Sequence, residues 1–484
     1  MSTLAIDQGT TSTRAVIVDT QGRAQVIHSA THRQSYPHPG WVEHDPAELL
    51  ANLVACLEAA RGLAGIGAAG LANQGESCLG WDADTGMPVG PVIVWQDSRT
   101  ASVIARLEAD GLGPEVMARA GLPLDAYFSA AKLGWILREI PEARRLADRG
   151  RLRLGTTDAW FRDRLTGRFE TDVTTAARTS LMNLARCDWD MELCRIFGVP
   201  VEALPVIGPS TGGLGHLPGG IPLMASLVDQ QAALYGHGCR APGEAKVTFG
   251  TGAFVLAVTQ GLRDLPANGP LQTIAWQRAG EAPARALDAG VTAAASAVNW
   301  ARGLGLFHDY SQINHFDGPP AINRGLFFVP ALAGLGCPHW DRDARGAWLG
   351  MSLASGPGDL MQALLEGIAL RVAEAVQAIA AVQPLRGVLS VDGGSAANAY
   401  LMQFLADTLG QDLLISDEAE LTAIGAARLA AETASQPFAF RRGGKSVTPA
   451  CDGSGRMARF AQARATTQDF AVRLCAGPPL VCPK

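Results

Sequence analysis

The sequence predicts an α/β protein built in two halves, and three glycine-bearing turns spread along the chain carry that expectation. The first is Asp7-Gln8-Gly9-Thr10-Thr11-Ser12-Thr13-Arg14, directly after the apolar Leu4-Ala5-Ile6. The second, Phe249-Gly250-Thr251-Gly252-Ala253-Phe254, follows Ala245-Lys246-Val247-Thr248, and the third, Val391-Asp392-Gly393-Gly394-Ser395, follows Gly387-Val388-Leu389-Ser390. One such turn says little, because strand ends often need glycine. Three, each closing a β-rich segment, suggest phosphate-holding loops in both halves.

Taken in order, the first turn reads as the tip of a β-hairpin whose second strand is Ala15-Val16-Ile17-Val18. Gly9 lets the backbone approach an anion, and the amides and hydroxyls of Thr10 to Thr13 can donate to phosphate oxygens. Asp7, at the strand end, suits a magnesium ion bound through one or two carboxylates. An ordinary Asx/Ser/Thr hairpin turn is the other reading of the same residues. A strand at 24–28 and a helix from Pro46 to about Leu63 follow, the helix showing three- and four-residue apolar spacing. The strand 66–71 delivers Asn73-Gln74-Gly75-Glu76 to its end, and 81–89 reads as a hairpin turning at Asp84 to Gly86.

Further on, alanine-rich helices are interrupted by a loop at 212–220. The strand-like 221–228 then runs into Asp229, which opens the helical Gln230-Gln231-Ala232-Ala233-Leu234. A carboxylate there suits a proton acceptor facing a cleft, and it also suits a helix cap; the residues alone leave both open. The turn-rich 238–243 marks the expected boundary, giving domains 1–240 and 241–484. In the second half, helices at 291–304 and 359–381 are apolar on more than one face, as expected of helices sandwiched against a sheet. Gly443-Gly444-Lys445-Ser446 is not a Walker A loop, because Ala439 stands where that loop needs glycine; a solvated basic loop is expected instead. Pro479, Pro483 and Lys484 read as a loose end.

Composition narrows the class. A chain of 484 residues exceeds what one core usually supports. Its 40 basic against 46 acidic residues point away from nucleic acid and anionic membranes as partners. Nine cysteines without a CxxC pair argue for reduced thiols in a cytoplasmic protein. No apolar run reaches the roughly 18 residues a bilayer span needs, and no signal-like segment opens the chain.

The spacing of the three turns matches the plan of actin-like ATPases, with one phosphate loop per domain and an adenosine loop. More specifically, the chain resembles the FGGY family of carbohydrate kinases, and within it the glycerol kinases. Tyr127-Phe128-Ser129-Ala130-Ala131-Lys132-Leu133-Gly134-Trp135 is similar to the first family signature, and Gly346-Ala347-Trp348-Leu349-Gly350-Met351, continuing to Glu366, to the second. Pro39 to Pro46, Val94-Trp95-Gln96, Asp229 to Leu234 and Gly334-Leu335-Gly336 also look like glycerol-kinase segments. The likeness runs from about Leu4 to about Ala430. It implies two ribonuclease-H-like domains with a catalytic cleft between them, and ATP-dependent phosphorylation of a small polyol with Mg²⁺. A kinase of a four- or five-carbon polyol or ketose is the alternative, and a non-catalytic sugar sensor a more remote one. Asp229 would be the catalytic base. Gly75, Glu76, Trp95, Tyr127, Asp229 and Gln230 would contact substrate. Thr10, Thr11, Ser12, Arg14, Gly250, Thr251, Ala295, Asn299, Gly394 and Asn398 would hold ATP. The expected partner is a small polyol or sugar, with a homo-oligomer a further expectation.

Departures from the glycerol-kinase pattern bear on substrate. Gly75 stands where that subfamily has an arginine expected to hold two substrate hydroxyls, so a strong forked donor is missing and space is expected in its place. Asp97, in Asp97-Ser98-Arg99-Thr100, is more like the ketose kinases and is expected to help a larger substrate. Ala295 and Asn299 replace Gly and Gln. The loop His216 to Ile221 lacks the Gly-Gly-Thr-Arg through which some glycerol kinases are inhibited by fructose 1,6-bisphosphate.

Overall fold

The computed structural model describes residues 1–476 apart from 267 and 441, so the expected loose end at Pro479, Pro483 and Lys484 lies outside the described residues. The chain divides into two compact units. One comprises 1–238, 272–286 and 420–441; the other comprises 239–271, 287–419 and 442–484. The sequence places a single boundary near residue 240, whereas the chain returns to the first unit twice more.

The first unit is organised by β1 (Ser2–Gln8), β2 (Ser12–Val18) and β3 (Ala24–Thr31), an antiparallel meander. Past α1 (Pro46–Ala60), β4 (Ile66–Asn73) pairs with β1 in parallel, and β5 (Leu223–Val228) pairs with β4 in parallel. Asp45 caps α1 by accepting from the Ala47 amide, and Pro46 occupies the first turn, where its missing N–H costs nothing. Leu49, Leu53, Cys56 and Leu57 of α1 pack on Leu4, Ile6 and Ala15. The opposite face of the sheet, at Ala5, Val16 and Val18, is covered by Ala423, Ile424 and Ala427 of the helix Leu421–Thr433. Both faces of β1 are thus buried, which is why it reads as a continuous apolar run.

That late helix belongs to the first unit because two glycines let it cross α4 (Asp229–Gly236) closely. A Cβ on Gly425 would collide with the Ala232 carbonyl, and one on Gly236 with the Leu421 carbonyl. Glycine is therefore required at the crossing.

In the second unit, β6 (Ala245–Phe249) and β7 (Ala253–Thr259) form a hairpin, and β8 (Leu389–Asp392) pairs with β6 in parallel. β9 (Leu413–Ser416) continues in parallel beside β8. A hairpin whose first strand takes parallel neighbours therefore occurs in both units. The helix expected at 291–304 starts later, at α5 (Ala295–Gly303), because Val291 still belongs to a strand. The long α6 (Pro357–Val382) is buried almost all round, as its apolar faces predicted. The expected basic loop at Gly443-Gly444-Lys445 is instead an edge strand, β10 (Gly444–Val447), antiparallel to β9. Its exposed Lys445 is the kind of charge that blunts a sheet edge.

Candidate active site

The polar residues of the first unit converge because three parallel strands end together. In register, Gln8 of β1 faces Asn73 of β4, and Asn73 faces Val228 of β5. Asp7, the segment Asn73 to Glu76, and Asp229 at the start of α4 are thereby delivered to one carboxyl edge, the usual place for ligands in such sheets. Burial and then the Asp229 carboxylate, with Glu420 adding to them, push Asp7 up to about 7 against the opposing effect of Arg14. Two carboxylates that repel one another form a donor set suited to a divalent cation. Among the described residues no group of three metal-ligating side chains occurs, so this pair fits an ion that keeps waters and takes phosphate ligands.

The hairpin tip closes with the Gly9 amide donating to the Ser12 carbonyl at 3.0 Å. His32 Nε2 lies 2.9 Å from the Thr10 carbonyl and 3.2 Å from that of Gly9, bracing the tip from behind. Thr11 is exposed and Ser12 half-buried. Arg14, opposite Asp7 across the hairpin, pairs with Glu420 at 3.1 Å. Asp229 Oδ1 accepts from the Gln230 amide at 2.6 Å as the first residue of α4, while Val228 takes the cap position.

Glu76 is 4% exposed. Its Oε1 accepts from Arg178 Nε at 2.6 Å, and its carbonyl accepts from the Ser129 hydroxyl at 2.9 Å. Trp95 and Tyr127 meet edge to face with ring centroids 5.6 Å apart, an aromatic corner suited to the C–H face of a polyol. Trp95 Nε1 donates to Thr10 Oγ1 at 2.9 Å. Lys132, fully buried in α2 (Ser129–Glu139), donates to the carbonyls of Tyr127 at 2.7 Å and Trp95 at 3.2 Å. Burial lowers its pKa to about 8.

One expectation is corrected here. Asp97 does not reach toward substrate: it is buried, and its two oxygens accept from Arg99 and from the Val42 amide at 2.6 Å. Arg99 itself lies over the Trp41 and Trp135 rings, so Asp97 belongs to a structural ion cluster. The backbone at Gly75 is closely flanked. A Cβ there would meet Val228 Cγ1 at 3.0 Å, Val228 Cγ2 at 3.4 Å and Arg178 Cγ at 3.5 Å.

The residues of the second unit expected to hold nucleotide form their own group. The amide of Ala295 donates to the Gly250 carbonyl at 3.2 Å and that of Ser296 to the Thr251 carbonyl at 3.1 Å, seating the start of α5 on the β6–β7 loop. Thr248 of β6 faces Asp392 of β8, which places Gly393 and Gly394 beside that loop. Gly393 has φ 91°, and a Cβ there would strike the Phe249 carbonyl. Asn398 caps α7 (Ala399–Leu409) through the Leu401 amide at 2.8 Å and donates to the Ile313 carbonyl at 2.8 Å. One 3₁₀ turn, 310–313, supplies both that carbonyl and Tyr310, whose hydroxyl donates to Asn299 Oδ1 at 2.7 Å. Tyr310, Lys132 and Arg178, which bond to candidate site residues, have no place in the expectations drawn from the sequence. The signature containing Lys132 was a signal that could have marked it, whereas Arg178 and Tyr310 carry none without the fold.

Comparison with known proteins shows the family of the chain. Residues 2–236 match the N-terminal domain, and residues 245–434 the C-terminal domain, of the FGGY family of carbohydrate kinases. The chain is 42% identical over 444 residues to a glycerol kinase of Citrifermentans bemidjiense, covering 88% of this chain and 89% of that one. It is 43% identical over 438 residues to a glycerol kinase of Thermus brockianus, covering 88% of each. The crystal structure of Plasmodium falciparum glycerol kinase with ADP superposes with a TM-score of 0.87 at 30% identity, covering 96% of this chain and 98% of that one. A xylulose kinase from Lactobacillus acidophilus shares the fold, with a TM-score of 0.85 at 20% identity, covering 98% and 99%.

Proposed function

Since the chain belongs to the FGGY family of carbohydrate kinases, we propose that it transfers the γ-phosphoryl group of ATP to a terminal hydroxyl of a short polyol, glycerol first among them. The observation that carries this reading is the shared strand edge holding Asp7, Glu76 and Asp229. Phosphoryl transfer asks for an aligned hydroxyl, charge neutralisation and one proton acceptor. Asp229 takes the proton from the attacking hydroxyl. Glu76 and Gln230 orient the remaining hydroxyls, and Trp95 and Tyr127 cover the carbon chain.

For ATP, Thr10, Thr11, Ser12 and Arg14 would meet phosphate oxygens, with Gly250, Thr251, Ala295, Asn299, Gly394 and Asn398 serving the rest of the nucleotide. Thr10 keeps its own O–H to donate, because Trp95 uses only its lone pair. Arg14 Nη1 pairs with Glu420, and the rest of its donor fork would serve a phosphate. Asp7 would hold Mg²⁺, which when bound neutralises phosphate charge. The cysteine content supports a cytoplasmic setting, and light scattering tests the expected homo-oligomer. Among the described residues no helix is long and apolar enough to cross a membrane.

The missing arginine at Gly75 keeps a tetritol, pentitol or ketose in view as substrate. A coupled ADP-release screen of glycerol, erythritol, pentitols, dihydroxyacetone and ketoses decides between them. Glycerol giving the highest kcat/KM is the expected result. Turnover confined to ketoses would replace the reading, and ATP turnover indifferent to every added polyol and ketose would end it.

A further inference from the structure

We propose that Arg178 is the positioning residue of the polyol site, holding Glu76 in place, and that glycine at position 75 is what lets it sit there. The inference rests on the polyol-kinase reading above and concerns how that site selects its substrate.

Arg178 comes from a part of the chain far from Glu76 in sequence, two residues past the short helix α3 (Val173–Ala176). It is 5% exposed. Its guanidinium carbon lies 5.8 Å from the Tyr127 ring centroid and 5.4 Å from that of Phe128, so its cation rests among the aromatic residues expected to cover the polyol. Its Nε reaches Glu76 Oε1 at 2.6 Å, a short charge-assisted hydrogen bond between two buried groups.

The other oxygen, Glu76 Oε2, has no hydrogen-bond donor among the described residues. A buried carboxylate with one oxygen fixed and the other without a donor is prepared to accept from a hydroxyl. Arg178 removes the carboxylate's rotational freedom, so the open oxygen faces one direction before substrate arrives.

Position 75 controls this arrangement. Gly75 has no positive φ, so its backbone does not demand glycine. Its would-be Cβ nonetheless meets Val228 on one side and the Arg178 stem on the other, at 3.0 and 3.5 Å. The first carbon of any side chain at 75 is thus tight against Val228 and in van der Waals contact with the Arg178 stem, so a larger residue there bears on both. Val228 precedes Asp229 directly, so the glycine lets the positioning cation and the proposed base share one wall.

The test measures steady-state kinetics with glycerol and with erythritol for the wild type, Arg178→Gln, Arg178→Lys, Glu76→Gln, the Arg178→Gln/Glu76→Gln double variant and Gly75→Leu. Arg178→Gln should raise the polyol KM by about 10- to 100-fold, the scale of a buried charged hydrogen bond, with the KM for ATP changed less than about 2-fold. Arg178→Lys should recover part of the loss. In the Glu76→Gln background, Arg178→Gln should add little, and Gly75→Leu should mimic it. An unchanged polyol KM in Arg178→Gln, or equal losses for polyol and ATP, or losses that simply multiply in the double variant, would overturn the proposal. Should Arg178→Gln fail to fold, Arg178→Lys and Gly75→Leu, judged by glycerol's shift of the melting temperature, decide in its place. Wild-type protein that turns over no polyol would sink the functional reading itself, an outcome distinct from variants that leave a working enzyme unaltered.

Discussion

Trp95 and Thr10 are joined by an indole-to-hydroxyl hydrogen bond of 2.9 Å, which ties the aromatic corner proposed to cover the polyol to the hairpin proposed to hold phosphate. On the proposed reading, this bond is where loss of one contact should affect both ligands. Trp95→Phe keeps an aromatic face and deletes the bond. It should raise the KM for ATP as well as that for polyol, each by about 5-fold, the scale of one neutral hydrogen bond. An effect confined to polyol would show the bond to be incidental.

Asp229→Asn should retain ATP binding and lower kcat by at least about 100-fold, the low end for a positioned base. Isothermal titration with ADP alongside steady-state turnover separates the two effects. Near-normal kcat would remove Asp229 from the proton transfer.

Asp7 carries a pKa of about 7 in the fold against an ordinary 3.8. Between those values the folded protein binds more protons than the unfolded chain, so stability falls as pH rises through that window and stays low above it. Asp7→Asn should therefore melt higher than wild type at pH 8, with the gap shrinking as pH falls toward 4, while Mg²⁺-dependent turnover disappears. A gap that does not vary with pH would contradict the assignment.

Lys132 shows the opposite sign. Its pKa of about 8 lies below the ordinary 10.5, so the unfolded chain holds the extra proton between those values. Wild-type stability relative to Lys132→Met should thus be flat below pH 8 and rise from there to about pH 10.5. Chemical denaturation across pH 7 to 10.5 reads this directly. The same substitution should raise the polyol KM, because it frees the Trp95 and Tyr127 carbonyls.

The legible parts of the fold were those set by local chemistry. The hairpin at Asp7 to Arg14, the cap at Asp45 and the strand running into Asp229 each declare themselves within a dozen residues, through turn residues, a capping side chain or an apolar run. Contacts between distant residues stayed hidden. Nothing near Asp97 in sequence tells that Arg99 and the Val42 amide already occupy its oxygens, so it read as available. Arg178 meets Glu76 across 102 residues. Gly425 looks like any helix glycine until Ala232 is seen against it.

The late return of the chain to the first unit has a consequence for biosynthesis. While residues up to about 420 emerge from the ribosome, the sheet face at Ala5, Val16 and Val18 waits for the helix that covers it. At about 5–20 residues per second, the stretch between α4 and that helix takes on the order of tens of seconds to be made. The nascent amino-terminal half thus passes through a long interval with a bare apolar surface, during which holdase chaperones have a binding site and premature release of the chain invites aggregation.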